Sequence, residues 1–122
     1  MSWNFTDDKP IYLQLMEQIQ LRIICGTYKA GEKLPSVREI ASEASVYPNT
    51  MQKALTELER TGLVFSQRTS GRFITEDTKM IKNIRNDLAK DTINSFFKSM
   101  KKMGYTQDEI LELVKNISKE MK

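Results

Sequence analysis

The feature that most constrains this chain is a pair of short helix-forming stretches joined by the tight link Glu43–Val46. Ser36 followed three residues on by Glu39 is a capping box, in which each side chain satisfies a free amide at a helix start. It opens a short helix that runs through about Ala44. In the second stretch Tyr47 occupies the cap position and Pro48 suits the first helical turn, where its missing N–H costs nothing. Asn49 or Thr50 can help with the remaining exposed amides. Met51, Leu55 and Leu58 recur on one face, Ala54 allows close approach, and Gly62 supplies a left-handed C-terminal cap. Two short helices so closely linked outline a helix-turn-helix.

The segments on either side extend the outline. Leu63–Gln67 and Arg72–Thr75 are β-rich runs flanking the turn Arg68-Thr69-Ser70-Gly71, which reads as a hairpin. A helix-turn-helix followed at once by a hairpin predicts a winged helix. Upstream, a helix is expected to begin near Asp8 with Pro10 in its first turn. Ile11, Leu15, Ile19 and Ile23 form its buried stripe, Gly26 ends it, and Lys29–Glu32 reads as a turn. Downstream, Thr78 to Met103 contains neither Gly nor Pro, so one long helix is expected, stopped by Gly104. Thr106 with Glu109 repeats the capping-box pattern ahead of a final amphipathic helix. The expected fold is mainly α with a small β-hairpin: a winged helix-turn-helix over 9–77 and a two-helix tail over 78–122.

Composition narrows the chemistry. The 122 residues suffice for one ordinary domain with a small appendage. The chain has no histidine, which removes the commonest general base and metal ligand. Cys25 is the only cysteine, so neither an internal disulfide nor a Cys/His zinc site is available, and a reduced cytoplasmic setting fits. No glycine-rich phosphate loop or recognisable carboxylate pair replaces the missing histidine, so the sequence points to neither an enzyme nor a cofactor. The first residues lack the basic-then-apolar pattern of a signal peptide. No apolar run approaches the ~20 residues that span a bilayer. A net charge of +3 is spread along the chain with no basic tail, so an anionic partner must be argued from placement.

The run Ile11–Gln14 through Gly26, then Ala30–Ala41, Asn49–Leu55, Leu58-Glu59 and Gly62-Leu63-Val64, resembles the GntR family of transcription regulators. The short two-helix tail is similar to that of the YtrA subfamily. The resemblance implies a homodimeric, sequence-specific regulator, a repressor on an inverted-repeat operator of an operon that in this subfamily often encodes membrane transporters. Carried over residue by residue, it places Arg38 at the start of the second helix against DNA. It puts Pro48, Asn49, Thr50 and Gln52 in the major groove and Arg68, Thr69, Ser70 and Gly71 at the wing tip. Pro48 departs from a position often basic in the family, and Thr69 from one often glycine.

Physical chemistry supplies reasons beside the resemblance. A helix N-terminus attracts phosphate, and Tyr47 at that end is placed to reach one itself. Asn49 and Gln52 carry the paired donor and acceptor that read adenine edges. Lys53 is placed to meet phosphate as a point charge. Arg68 and Arg72 flank the wing turn and can enter a narrow minor groove, where the potential is most negative.

Each residue also has a plainer reading. Arg38 can pair with Glu39 or Glu43 on a solvated face, Asn49 and Thr50 can be caps only, and Arg68 and Arg72 can be edge-strand charges. Along the tail, Ile84, Leu88, Phe96, Phe97, Met100, Ile110, Leu113, Val114 and Ile117 form an apolar stripe. A helix of about 26 residues is roughly 39 Å long, more than a small domain is wide, so part of that stripe needs a partner. A second copy is the economical choice; packing on the first domain, or a small apolar effector, are the alternatives. Double-stranded DNA is the expected partner. The competing function is a winged-helix protein–protein module without sequence-specific DNA binding.

Overall fold

The computed structural model describes residues 2–121. Five helices and one hairpin follow in the order α1 (Ile11–Ile24), α2 (Val37–Ala44), α3 (Pro48–Thr61), β1 (Val64–Gln67), β2 (Gly71–Ile74), α4 (Thr78–Lys102) and α5 (Gln107–Glu120). The two strands are antiparallel, with Val64 opposite Ile74 and Gln67 opposite Gly71. The chain divides into two compact units between Ile84 and Arg85.

The first unit closes its core on itself. Leu15 and Ile19 of α1, Ile40 of α2, Met51, Leu55 and Leu58 of α3, and Val64 and Ile74 of the hairpin are all buried together. Each such side chain is worth roughly 1.5–3 kcal/mol of burial, which is why the periodic apolar residues decide which helix face turns inward. The local signals act as the sequence predicts at α2, where Ser36 Oγ accepts from the Glu39 amide at 3.2 Å and Glu39 Oε1 from the Ser36 amide at 3.3 Å. Gly62 caps α3 at φ +86°, a left-handed conformation that favours glycine.

Two local expectations are corrected. Helix α1 begins at Ile11 with Pro10 as its cap, not at Asp8. The preceding residues are instead bound in place by buried Gln14, whose Nε2 donates to Lys9 O at 2.7 Å and to Thr6 O at 2.9 Å. No side chain caps α3, so Asn49 and Thr50 do not serve that end. Beyond the turn at Lys29–Glu32 the chain stays extended, and Lys33 bridges to Phe73. Leu34 N donates to Arg72 O at 2.8 Å and Ile74 N to Glu32 O at 2.9 Å, giving partners to the outer edge of β2.

The second unit is a helical pair with little interior. Helix α4 buries no residue, and α5 buries only Ile110. Gly104 turns the chain at φ +95°. Thr106 and Glu109 form the expected capping box, with Glu109 Oε1 2.8 Å from the Thr106 amide. The bond from that amide, with help from the Thr106 hydroxyl, holds the Glu109 carboxyl below its ordinary pKa. Ile93, Phe96, Val114 and Ile117 remain 40–53% exposed, and the Phe96 and Phe97 rings meet edge-on at 5.8 Å.

Two members of the expected tail stripe stand elsewhere. Ile84 packs against the core of the first unit. Ile110 is fully buried within a single copy and has no surface left to offer a partner. Leu88, Phe96, Val114 and Ile117 are exposed, while Phe97, Met100 and Leu113 are half-buried.

Candidate nucleic-acid interface

Helix α3 is amphipathic in a way that leaves one face available. Met51, Ala54, Leu55 and Leu58 turn inward, so Pro48, Asn49, Gln52 and Lys53 stand exposed on the opposite side, with Thr50 at the margin. At its N-terminus Tyr47 is 82% exposed. The Thr50 and Met51 amides reach back to the Tyr47 carbonyl at 3.1 Å. A helix start without a side-chain cap keeps its partial positive charge available to an anion.

Arg38 lies in the first turn of α2 and is exposed. Among the described residues it makes no ion pair, so the alternative pairing with Glu39 or Glu43 is not formed. Glu39 is occupied instead by the capping box.

The wing tip carries Arg68, Thr69 and Ser70, all exposed, and Ser70 N closes the turn on Gln67 O at 3.1 Å. Gly71 follows at φ +102°, and a Cβ there would stand 3.1 Å from Lys33 Cε. That close approach identifies a cation the sequence reading missed. Lys33 lies beside the wing because its extended segment pairs with β2, and the only sequence signal for this is its place just before Leu34-Pro35. The start of α2 and the wing border an open groove of about 700 Å³, lined by Lys33, Pro35, Ser36, Thr69 and Arg72 among others.

Two of the expected phosphate or groove contacts are placed differently. Lys53 Nζ lies 3.9 Å over the Tyr12 ring of α1, a cation–π contact. Arg72 does not project from the wing but lies back on α3. Its Nε donates to Glu59 Oε1 at 2.8 Å and its Nη1 to Gln52 Oε1 at 3.4 Å. Burial pushes the Glu59 carboxyl up, but bonds from the Ser66 hydroxyl and Arg72, with the guanidinium charge, outweigh it and leave the pKa below its ordinary value. Arg38, the outer face of α3 and the wing tip are thus all exposed in the first unit, while Arg72 is tied to α3 through Glu59 and Gln52.

A helix-turn-helix with an exposed second helix and a following wing defines a DNA-binding module of the winged-helix class. The comparisons give the particular family. The profile of bacterial regulatory proteins of the gntR family matches residues 11–74, and the chain belongs to that family. It is 39% identical over 118 residues to the uncharacterized HTH-type transcriptional regulator YhcF of Bacillus subtilis (strain 168), covering 97% of this chain and 98% of that protein. It is 33% identical over 114 residues to the HTH-type transcriptional repressor YtrA of the same organism, covering 93% and 88%. Among solved structures, a GntR family transcriptional regulator from Listeria monocytogenes superposes with a TM-score of 0.85 at 42% identity, covering 92% of this chain and 98% of that one. The chain is therefore a transcriptional regulator with a DNA-binding domain, of YtrA-like type, and not an enzyme. No described helix is long and apolar enough to cross a membrane.

Proposed function

We propose that the protein is a homodimeric cytoplasmic repressor that binds an inverted-repeat operator, the first unit reading DNA and the second pairing two copies. The observation that carries the reading half is the polar outer face of α3, where Asn49 and Gln52 are exposed, together with an exposed Arg38 that makes no ion pair among the described residues. In this account Arg38, Tyr47 and the free start of α3 bind phosphate and fix register, as non-specific contacts do. Asn49, Thr50 and Gln52 meet base edges, Pro48 adds apolar contact only, and Arg68 leads Thr69, Ser70 and Gly71 into the minor groove. Lys33 joins the phosphate contacts from beside the wing.

The exposed faces of Leu88, Phe96, Val114 and Ile117 support the pairing half. Single large apolar residues at a surface are ordinary, but several exposed along the same two helices support an association site. Twofold pairing sets the distance between two reading helices, and half-site spacing follows from it. Repression is the sign carried by the name of the YtrA relative. Occupation of a promoter by such a dimer blocks transcription of the operon behind it, a transporter operon in the subfamily pattern.

Fluorescence anisotropy with the DNA upstream of the protein's own gene tests the reading. Tight binding that falls steeply with added salt is expected. Arg38→Ala should weaken all sequences alike and reduce the salt slope by about one, whereas Asn49→Ala should relax preference at one base pair. Equal affinity for scrambled DNA would favour the protein–protein module instead.

A further inference from the structure

We infer that Arg72 is a positioning residue that holds the Gln52 amide as a hydrogen-bond donor toward DNA, so that this position takes a base presenting acceptors, guanine or thymine, rather than adenine. The inference rests on the proposed DNA-reading role of α3 and names the base class that one of its residues selects.

Bidentate reading of adenine needs both ends of a glutamine amide: Nε2 donates to N7 and Oε1 accepts from the N6 amino group. Here Oε1 already faces Arg72 Nη1 at 3.4 Å. Arginine only donates, so turning the amide over would set N–H against N–H. Among the described residues no hydrogen bond engages Gln52 Nε2, which leaves its two donors for a ligand. The guanidinium charge beside Oε1 also opposes the amino hydrogens of adenine, while it favours the N7 and O6 of guanine or the O4 of thymine.

The 3.4 Å contact is long, and its weight comes from how firmly Arg72 is held. Nε of Arg72 is 2.8 Å from Glu59 Oε1, and the two side chains are only 17% and 27% exposed. A partly buried pair is screened less by salt than a surface pair. Glu59 in turn accepts from the Ser66 hydroxyl on β1. A polar chain thus runs from β1 through α3 and β2 to the reading residue: Ser66, Glu59, Arg72, Gln52. Through it the wing strands set the state of the recognition helix without touching a base.

The test is binding of the full-length protein to half-sites carrying each base pair in turn, for the wild type, Gln52→Ala, Arg72→Met and Arg72→Lys. Gln52→Ala locates the base pair concerned by flattening preference there. At that position the wild type is expected to favour guanine or thymine over adenine by about tenfold. Both Arg72 variants should bring adenine to parity while leaving the other positions and the salt slope unchanged. If Arg72→Met does not fold, Arg72→Lys still reads out through the side-chain amide NMR signal of Gln52 without DNA, which should shift. An adenine preference in the wild type, an unmoved amide signal, or uniform weakening with a smaller salt slope would each overturn the inference alone. The last would make Arg72 a phosphate ligand. No base preference anywhere in the wild type would overturn the DNA-reading proposal, and this inference with it.

Discussion

The two units of this chain spend their apolar residues differently. Up to Ile84, helices α1, α2 and α3 and the hairpin converge on one interior, and Leu15, Ile19, Ile40, Met51 and Ile74 are fully buried. Beyond it, the rest of α4 and α5 carry a stripe of apolar residues yet bury only Ile110. Three helices meeting at angles can enclose a volume, whereas two helices side by side enclose only a seam. The first unit is therefore complete as a single copy, and its surface is free to be polar and specific. The second leaves Phe96, Val114 and Ile117 exposed in a single copy, and on the proposed pairing these are the side chains that a second copy covers.

The largest expected effect lies in the self-sufficient core. Leu55→Ala should destabilise the first unit by about 2–5 kcal/mol, measured by urea denaturation and independent of protein concentration. Serine at Phe96 and Ile117 together makes the opposite kind of change. These side chains are exposed in one copy, so within a copy the cost should be small, about 0.5 kcal/mol or less each. Sedimentation should nonetheless show the assembly dissociating at least about tenfold more readily, and the melting temperature should become independent of concentration. A tail variant that keeps its mass unchanged would erase the contrast between the units.

The capping boxes sharpen it on a smaller scale. Ser36→Ala and Thr106→Ala each remove one side-chain cap and should cost about 1 kcal/mol. If α5 is stabilised by the proposed association, the Thr106 loss should also depend on protein concentration; the Ser36 loss should not. Denaturation at two concentrations separates them.

The smallest effect is the pH response of Glu59. Its folded pKa is lowered, so the stability it contributes is present above the ordinary carboxylate pKa and is lost as pH falls through the lower folded value. Glu59→Gln should flatten that acid limb of the stability profile. It should do so in the first unit only, since Glu109 carries a separate lowered pKa through its capping box.

What the sequence makes legible follows the range of the forces involved. The capping boxes at Ser36 and Thr106, Pro48 at the start of α3 and Gly62 at its end are local signals, and the elements they bound are the ones observed. The winged helix follows from their order. The pairings that adjust the candidate site join residues far apart in sequence. Arg72 meets Glu59 and Gln52 across the hairpin, Lys53 meets Tyr12 across two helices, and Lys33 reaches the wing by a single bridge. No periodicity encodes such contacts. Arg72 and Lys53 read as free cations in a one-dimensional pattern because their partners become neighbours only after folding. Ile110 fails as an interface residue for a related reason: a helical stripe shows which face is apolar but not which of its members the adjacent helix covers.

The central claim is a division of labour, in which the first unit reads DNA and the second doubles it. The mass of the protein–DNA complex tests that claim most directly, measured for the wild type and the Phe96→Ser/Ile117→Ser variant on the inverted repeat upstream of the gene and on a single half-site. Two wild-type chains are expected on the inverted repeat, and one variant chain on a half-site with the same base preference but weaker binding. A variant that still binds as a pair, or a wild type that binds scrambled DNA equally well, would contradict it.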